Sequence, residues 1–213
     1  MRTGPGFGER LIFLGQTGRG KTTGMIAVLD RWYYGRRQIE VLDGKADPAW
    51  ERLAVPRLTD LRQVVKRRWP QTPMVVWRPE AGDLADPTRL DVWCHWVYSR
   101  QHTVAVVDEL TLLAPSPDPP LGYLSCVTRG RTRDITLLVG TQRPRRVPLI
   151  TFSEATWVFC FGLSDQRDRY RVAEFTHPLL ASEIPDPHGC WIWRTGATPQ
   201  YYANIGLWLD RVR

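Results

Sequence analysis

The sequence contains little lysine and no segment typical of a membrane or secreted protein. Lysine occurs only at Lys21, Lys45 and Lys66 among 29 basic residues, so arginine carries nearly all of the positive charge. No apolar run reaches the roughly 18 residues that a membrane-spanning helix requires, and the first ten residues lack the apolar core of a secretory signal. These absences predict a cytoplasmic chain with no membrane span of its own.

Cysteine pairs at metal-binding spacing are also missing. The four cysteines, at positions 94, 126, 160 and 190, lie far apart in the sequence and form no CxxC pair, which argues against a zinc site. Because no secretory signal is visible, we expect these cysteines to be free, buried thiols rather than disulfides.

The overall composition is that of a folded, basic protein. Hydrophobic residues make up 43% and charged residues 24% of the 213 positions, which excludes a disordered or fibrous chain. This length predicts one domain over residues 1–213. The net charge of +7 is carried mostly by arginine, whose planar guanidinium suits phosphate, so a polyanionic partner such as nucleic acid is expected.

Short apolar runs alternate with longer helical stretches along the chain. This order predicts an α/β fold with a mostly parallel sheet, covered by helices on both faces. The expected strands are Leu11–Leu14, Ile39–Leu42, Met74–Trp77, Val104–Val107, Ile135–Val139 and Trp157–Phe161. The expected helices are Thr23–Trp32, Leu58–Trp69, Leu90–Ser99, Leu121–Thr128 and Asp165–Phe175, the last one behind an N-cap at Ser164. The C-terminal runs Trp191–Trp193 and Tyr201–Ile205 predict a β-hairpin at the sheet edge.

The segment from Gly15 to Thr22 reads GQTGRGKT and fits the phosphate-binding loop pattern G-x-x-x-x-G-K-[ST]. A strand is expected before it and a helix after it, which is the required context. Glycines let the backbone amides turn inward around phosphate, and the helix start adds its dipole. The predicted nucleotide-binding residues are Gly15, Gln16, Thr17, Gly18, Arg19, Gly20, Lys21, Thr22 and Thr23. Lys21 is expected at the β- and γ-phosphates, and Thr22 at Mg²⁺.

A second acidic motif, VAVVDE, ends the apolar strand Val104–Val107. An apolar strand that delivers Asp and then Glu at its end is typical of a Walker B motif. Asp108 is expected to join the Mg²⁺ shell, and Glu109 to orient and polarise the attacking water. Water activation by Glu109 predicts ATP hydrolysis rather than a kinase reaction.

Six arginines and a single acid lie between Arg129 and Arg146. Two roles are open for these arginines: a finger that reaches a neighbour's γ-phosphate, or contact with a nucleic-acid backbone. Gln142 follows a strand expected beside the Walker B strand, where a neutral amide can sense the γ-phosphate and hold the water.

Taken together, GQTGRGKT, VLDGKAD at residues 41–47, VAVVDE and TRGR…LLVGTQRP resemble the FtsK–HerA superfamily of DNA-pumping ATPases. The resemblance covers roughly residues 10–175 and implies a RecA-like core that works as a ring, usually a hexamer, around DNA. It implies that Gln142 is the sensor glutamine and that Arg129 or Arg131 acts in trans, with Arg131 favoured. Neither the membrane anchor of FtsK nor the extra domains of HerA is expected from this sequence. It is therefore most similar to the genome-packaging ATPases of icosahedral double-stranded DNA viruses with an internal membrane.

The resemblance leads to an expectation of an ATP- and Mg²⁺-dependent motor on double-stranded DNA, without sequence preference. Expected DNA contacts are Arg143, Arg145 and Arg146, with the proline-rich loop of residues 115–120 as the rival site. A capsid-vertex or membrane protein is the expected docking partner, and the host cytoplasm or virion the expected location. Two alternatives remain open: a cellular HerA-like translocase, and a nucleotide-dependent assembly switch without translocation.

Overall fold

The structure, a computed structural model, describes residues 4–67 and 72–212. Its centre is a nine-stranded sheet in the order β3-β4-β2-β5-β6-β1-β7-β8-β9. The strands are β1 Arg10–Leu14, β2 Gln38–Leu42, β3 Arg57–Leu58, β4 Met74–Trp77, β5 Thr103–Val107, β6 Thr136–Thr141, β7 Trp157–Cys160, β8 Cys190–Arg194 and β9 Gln200–Tyr202. The pairs from β3 through β7 are parallel, and β8 and β9 add an antiparallel hairpin at one edge.

Helices connect the strands and cover both faces of the sheet. They are α1 Lys21–Trp32, α2 Pro48–Glu51, α3 Leu61–Lys66, α4 Ala81–Leu84, α5 Pro87–Ser99, α6 Leu110–Leu113, α7 Leu121–Arg129, α8 Leu149–Ser153, α9 Gln166–Ala173, α10 Leu179–Ser182 and α11 Ile205–Arg211. Two 3₁₀ turns, Gly130–Arg133 and Pro144–Arg146, lie before and after β6. Within the described residues, no helix combines the length and apolar character needed to cross a membrane.

Two hydrophobic cores lie on opposite faces of the sheet because successive strand side chains alternate sides. In β1, Leu11 and Phe13 pack with α1 and α11, while Ile12 and Leu14 pack with α5 and α7. Each fully buried aliphatic or aromatic side chain contributes on the order of 1.5–3 kcal/mol. The central strands are therefore apolar throughout, as the run Val104–Val107 predicts.

Several boundaries differ from the sequence prediction. The expected helix over 58–69 is instead β3 followed by α3, because the Asp60 side chain accepts a hydrogen bond from Arg62 N and caps a later start. The expected end at Trp69, before Pro70, falls outside the described residues. The helix predicted behind Ser164 is capped by Asp165, whose carboxylate accepts from Arg167 N.

The C-terminal hairpin lies at the predicted edge but is shorter than expected. Its second strand ends at Tyr202, and Asn204 caps α11 by accepting a hydrogen bond from Leu207 N. Ile205 therefore begins a helix instead of ending a strand. The four cysteines are free and buried, as predicted.

Arg10 ties the start of β1 to the end of α7. Its guanidinium is buried and donates hydrogen bonds to the carbonyl oxygens of Gly8 at 2.6 Å, Cys126 at 2.9 Å and Val127 at 2.7 Å. Burial lowers the pKa of Arg10. A Cβ atom on Gly130 would lie 3.0 Å from the guanidinium, so the lack of a side chain there admits the close approach. Arg10 thereby fixes the end of α7, which carries Arg129, and the following turn, which carries Arg131.

Candidate active site

The phosphate-binding loop lies between β1 and α1, at the carboxyl edge of the sheet. Gly18 and Gly20 adopt positive φ angles of 78° and 93°, which other residues rarely take. The loop is anchored to the segment after β7, since Gln16 N donates to Gly162 O at 3.1 Å. The α1 helix starts at Lys21 with Gly20 as its N-cap, and no side chain caps it. Its first amides are thus free to bind an anion.

Lys21 is buried at the mouth of this loop. Burial lowers its pKa most, the positive charge of Lys45 lowers it further, and the nearby carboxylates of Asp108, Glu109 and Asp47 oppose the shift. A buried cation beside a second cation is stabilised by an anionic ligand. This placement suits Lys21 to phosphate.

The hydroxyl group of Thr22 contacts two carboxylates, those of Asp47 and Asp108. Its Oγ1 lies 2.9 Å from Asp108 Oδ1 and 3.0 Å from Asp47 Oδ2. One hydroxyl hydrogen can satisfy only one of the two carboxylate oxygens. The second oxygen of Asp108, Oδ2, is buried without a hydrogen-bond partner, and burial raises the pKa of this carboxyl.

A divalent cation would give the Asp108 carboxylate the partner that its Oδ2 lacks and would offset its negative charge. A hydroxyl and a carboxylate oxygen are ligands that Mg²⁺ prefers, and Mg²⁺ usually keeps several waters and phosphate oxygens. In residues 4–67 and 72–212 no group of three or more His, Cys, Asp or Glu side chains could hold a metal without help from a ligand. The donor set therefore fits a magnesium ion that arrives with a nucleotide.

Glu109 follows Asp108 at the end of β5 and is held on two sides. Its Oε2 lies 2.5 Å from Lys45 Nζ, and its Oε1 accepts a hydrogen bond from Thr111 Oγ1 at 2.8 Å. The carboxylate is 5% exposed, while Lys45 is 27% exposed. Glu109 is therefore buried beside the phosphate loop with a lysine as its ion-pair partner.

The loop after β2 supplies the residues at this site that the motif assignments missed. Asp43 is fully buried, pairs with Arg78 at 2.8 Å and accepts a hydrogen bond from Asp47 N at 3.0 Å. This bond fixes the loop so that Lys45 and Asp47 both face the phosphate loop. The segment VLDGKAD indicated the loop, but the sequence did not indicate which of its side chains reach the site.

Gln142 lies at the end of β6, directly beside the phosphate loop. Its Oε1 accepts a hydrogen bond from Thr17 Oγ1 at 3.1 Å. Gln142 also lines a cavity of about 670 Å³ together with Lys21, Lys45 and Asp47. Seven of the nine residues predicted to bind nucleotide line the same cavity: Gln16, Thr17, Gly18, Gly20, Lys21, Thr22 and Thr23.

Arg129 and Arg131 lie at the end of the sheet where β6 begins, whereas the cavity lies at the end where β6 finishes. They precede β6, whereas Gln142 follows it, and six strand residues span about 20 Å. Arg129 donates a hydrogen bond to Ser125 Oγ at 2.8 Å, and its guanidinium lies 5.5 Å from the centre of the Tyr98 ring. Arg131 is exposed. Neither arginine can reach the phosphate loop of its own chain.

Arg143, Arg145 and Arg146 are exposed around the 3₁₀ turn that follows Gln142. Two acidic residues restrain this segment. Arg143 Nη1 lies 3.6 Å from Asp165 and 3.5 Å from Asp168, and Asp168 also accepts a hydrogen bond from Arg145 N at 2.9 Å. The three arginines thus lie at the same end of β6 as the cavity, and the two carboxylates partly neutralise the charge of Arg143.

Comparison with known proteins points to one functional class. The chain matches no protein-family model. It is 28% identical over 168 residues to the DNA packaging ATPase P9 of Enterobacteria phage PRD1, which covers 78% of this chain and 70% of P9. The resemblance to packaging ATPases predicted from the motifs is therefore confirmed.

Solved structures confirm the fold. The genome packaging NTPase B204 of Sulfolobus turreted icosahedral virus 2, in complex with ATP-γS, superimposes with a TM-score of 0.73 at 13% identity, covering 92% of this chain and 98% of B204. VirB4 of Thermoanaerobacter pseudethanolicus superimposes with a TM-score of 0.65 at 12% identity, covering 94% of this chain and 91% of VirB4. The α/β architecture with a large, mostly parallel sheet is that of P-loop NTPases.

We expect Gly140→Ala to displace Asp108 from Thr22. A Cβ atom on Gly140 would lie 2.5 Å from the Asp108 carbonyl oxygen and 2.4 Å from Met25 Cε. The Met25 side chain can move aside, but the backbone contact forces β5 and β6 apart. Overpacking of this kind costs about 1–3 kcal/mol. Chemical unfolding should show this loss, and nucleotide titrations should show that the increase in affinity caused by Mg²⁺ is reduced.

Gly82→Ala is the matched control, because no atom lies within 4 Å of its Cβ position. It should unfold at the wild-type denaturant midpoint or above. A Gly140→Ala protein with wild-type stability and a wild-type magnesium effect would contradict the close packing of β6 against Asp108.

Proposed function

We propose that the protein is an ATP-hydrolysing motor that moves double-stranded DNA and packages a viral genome into a preformed capsid. The observation that carries this proposal is that two acidic residues lie directly behind the cavity, in a chain similar to a phage packaging ATPase. Lys21, Thr22 and Lys45 line the cavity, Thr22 is hydrogen-bonded to Asp108, and Lys45 is paired with Glu109. The similarity to P9 favours viral packaging over a cellular translocase.

In this proposal the phosphate loop binds the triphosphate of ATP. The amides at the start of α1 and the ammonium group of Lys21 contact the β- and γ-phosphates. Thr22 and Asp108 would hold Mg²⁺, which neutralises phosphate charge and orients the terminal phosphate. Glu109 takes a proton from the attacking water, and Gln142 positions that water beside the γ-phosphate.

The charges at the cavity support binding of the magnesium complex rather than of free ATP. Lys21, Lys45 and Arg52 place three positive charges at the cavity, and Asp47, Asp108 and Glu109 place three negative charges there or directly beside it. Because Asp47 and Asp108 both contact Thr22, nucleotide without its metal would meet two carboxylates at that point. A divalent cation there would offset their charge.

The arginines before β6 support assembly into a ring, which we propose to be a homohexamer. Since Arg129 and Arg131 lie about a strand length from their own phosphate loop, any contact with a γ-phosphate has to be made in a neighbouring copy. Arg131 is the better candidate, because Arg129 is already bonded to Ser125. A cation at that point stabilises charge in the transition state.

DNA would pass through the ring and contact arginines at the cavity side. Arg143, Arg145 and Arg146 follow Gln142 directly, so a change at the γ-phosphate can reach them over a few residues. Pro144 and Pro148 stiffen this segment. Contacts to the phosphate backbone suit a motor that must accept any sequence. A docking partner at the capsid vertex or in the viral membrane, and action in host cytoplasm or virion, complete the proposal.

We expect Glu109→Gln to retain Mg²⁺–ATP binding while turnover falls by at least about 10²-fold, because only the proton acceptor is removed. Lys21→Ala should weaken binding itself. In the wild type, double-stranded DNA should stimulate phosphate release, which separates a motor from an assembly switch. Wild-type turnover in Glu109→Gln, or turnover indifferent to DNA, would contradict the proposal.

We expect inactive Lys21→Ala subunits and inactive Arg131→Ala subunits to recover activity when mixed. Some interfaces then hold an intact phosphate loop and an intact arginine. Arg131→Ala alone should lower turnover by about 10³- to 10⁵-fold. Arg36, which is exposed, provides the control Arg36→Ala with unchanged turnover.

Subunit mixtures with no recovery would mean that the finger lies elsewhere. The same conclusion follows if Arg129→Ala and Arg131→Ala each change turnover less than about threefold, far below the expected effect.

We expect replacement of Arg143, Arg145 and Arg146 by Ala to weaken DNA binding equally on unrelated sequences. The slope of log affinity against log salt should flatten by about one unit for each DNA phosphate that the variant no longer binds. The measurement is a salt titration of DNA affinity for the wild type, the triple variant and Arg36→Ala. An unchanged slope in the triple variant would assign DNA binding to another segment, with the proline-rich loop of residues 115–120 as the next candidate.

A further inference from the structure

Lys45 occupies a position that the roles proposed above do not explain. Its ammonium group pairs with Glu109 at 2.5 Å, and its side chain also lines the cavity that contains Lys21 and Thr22. Thr111 donates to the other carboxylate oxygen, so both oxygens of Glu109 already have a partner in this arrangement. Release of Lys45 would free one of them to accept a proton from water.

The same lysine is electrostatically coupled to the phosphate loop. Its charge lowers the pKa of Lys21 more than any other single charged group does. Two ammonium groups this close repel each other, and an anion between them removes the repulsion. The γ-phosphate of ATP is such an anion.

The backbone under Lys45 is fixed, whereas its side chain can move. Asp43 holds Asp47 N at 3.0 Å, and Arg78 holds Asp43 in turn. Ala46 has a φ of 54°, a left-handed conformation that is uncommon outside glycine and costs about 1 kcal/mol or more. The loop thus presents Lys45 at a defined point, and its four-carbon stem allows the ammonium group to change partner.

We propose that Lys45 is a second phosphate-binding lysine. When ATP binds, the Lys45 ammonium group breaks its ion pair with Glu109 and binds the γ-phosphate instead. This inference rests on the proposed function, since it takes ATP as the ligand of the cavity. ADP lacks the γ-phosphate, so Lys45 stays with Glu109 when ADP is bound. The exchange frees the Glu109 carboxylate only when there is a γ-phosphate to hydrolyse.

Nucleotide affinity in a non-hydrolysing background tests the inference. With Glu109→Gln the ion pair is gone, so any effect of Lys45 on nucleotide binding is direct. We expect Lys45→Met added to Glu109→Gln to weaken Mg²⁺–ATP binding by about 10- to 100-fold, the value of one charge-assisted hydrogen bond. Mg²⁺–ADP affinity should change less than about threefold, because the bond that Lys45→Met removes is made to the γ-phosphate alone. The measurement is isothermal titration calorimetry with each nucleotide.

Lys66→Met in the same background is the control, since Lys66 is exposed at the end of α3 and should leave both affinities unchanged. Equal affinities for ATP with and without Lys45 would overturn the inference, as would an equal loss for ATP and ADP. Neither result would affect the proposed function, which fails instead if the wild type hydrolyses no ATP.

Discussion

The hydroxyl group of Thr22, shared by two carboxylates, is the constraint on which the site depends. One hydrogen cannot serve Asp47 and Asp108 together, so one of the two carboxylates receives no hydrogen bond from this hydroxyl. The positive charges of Lys21 and Lys45 lie near the same carboxylates. The magnesium–nucleotide complex proposed above would complete this arrangement, since it brings a cation to the carboxylates and an anion to the lysines.

The parallel strands explain why the residues of the cavity lie together and why Arg129 and Arg131 lie far from them. The strands β1, β2, β5 and β6 are neighbours and point the same way, so the loops that follow them meet at one edge. Thr22, Lys45, Asp108 and Gln142 all follow these strands. The turn of Gly130–Arg133 precedes β6 and is consequently at the other edge. A single parallel sheet therefore separates the groups around the cavity from the arginines that we propose act in a neighbouring copy.

The sequence predicted the sheet, its central strands and the phosphate loop, because these features leave local patterns: short, fully apolar runs between helical stretches, and glycines at fixed spacing before Lys21. It did not predict the contact of Asp47 with Thr22 or of Lys45 with Glu109. Those contacts depend on a left-handed Ala46 and on a hydrogen bond from Asp47 N to Asp43, neither of which leaves a periodic pattern. The helix α11 was missed for a related reason, since a single cap at Asn204 starts a helix two residues after the tyrosines of β9.

The buried Arg10 has a mechanical consequence. It joins the start of β1 to the end of α7 through carbonyl oxygens, while the other end of β1 leads into the phosphate loop. One strand therefore connects the phosphate loop with the turn that we propose acts at a neighbouring subunit. In a closed ring of such subunits, a tilt of β1 caused by one nucleotide would shift the arginines at the adjacent site. Successive hydrolysis events would then be ordered around the ring instead of independent.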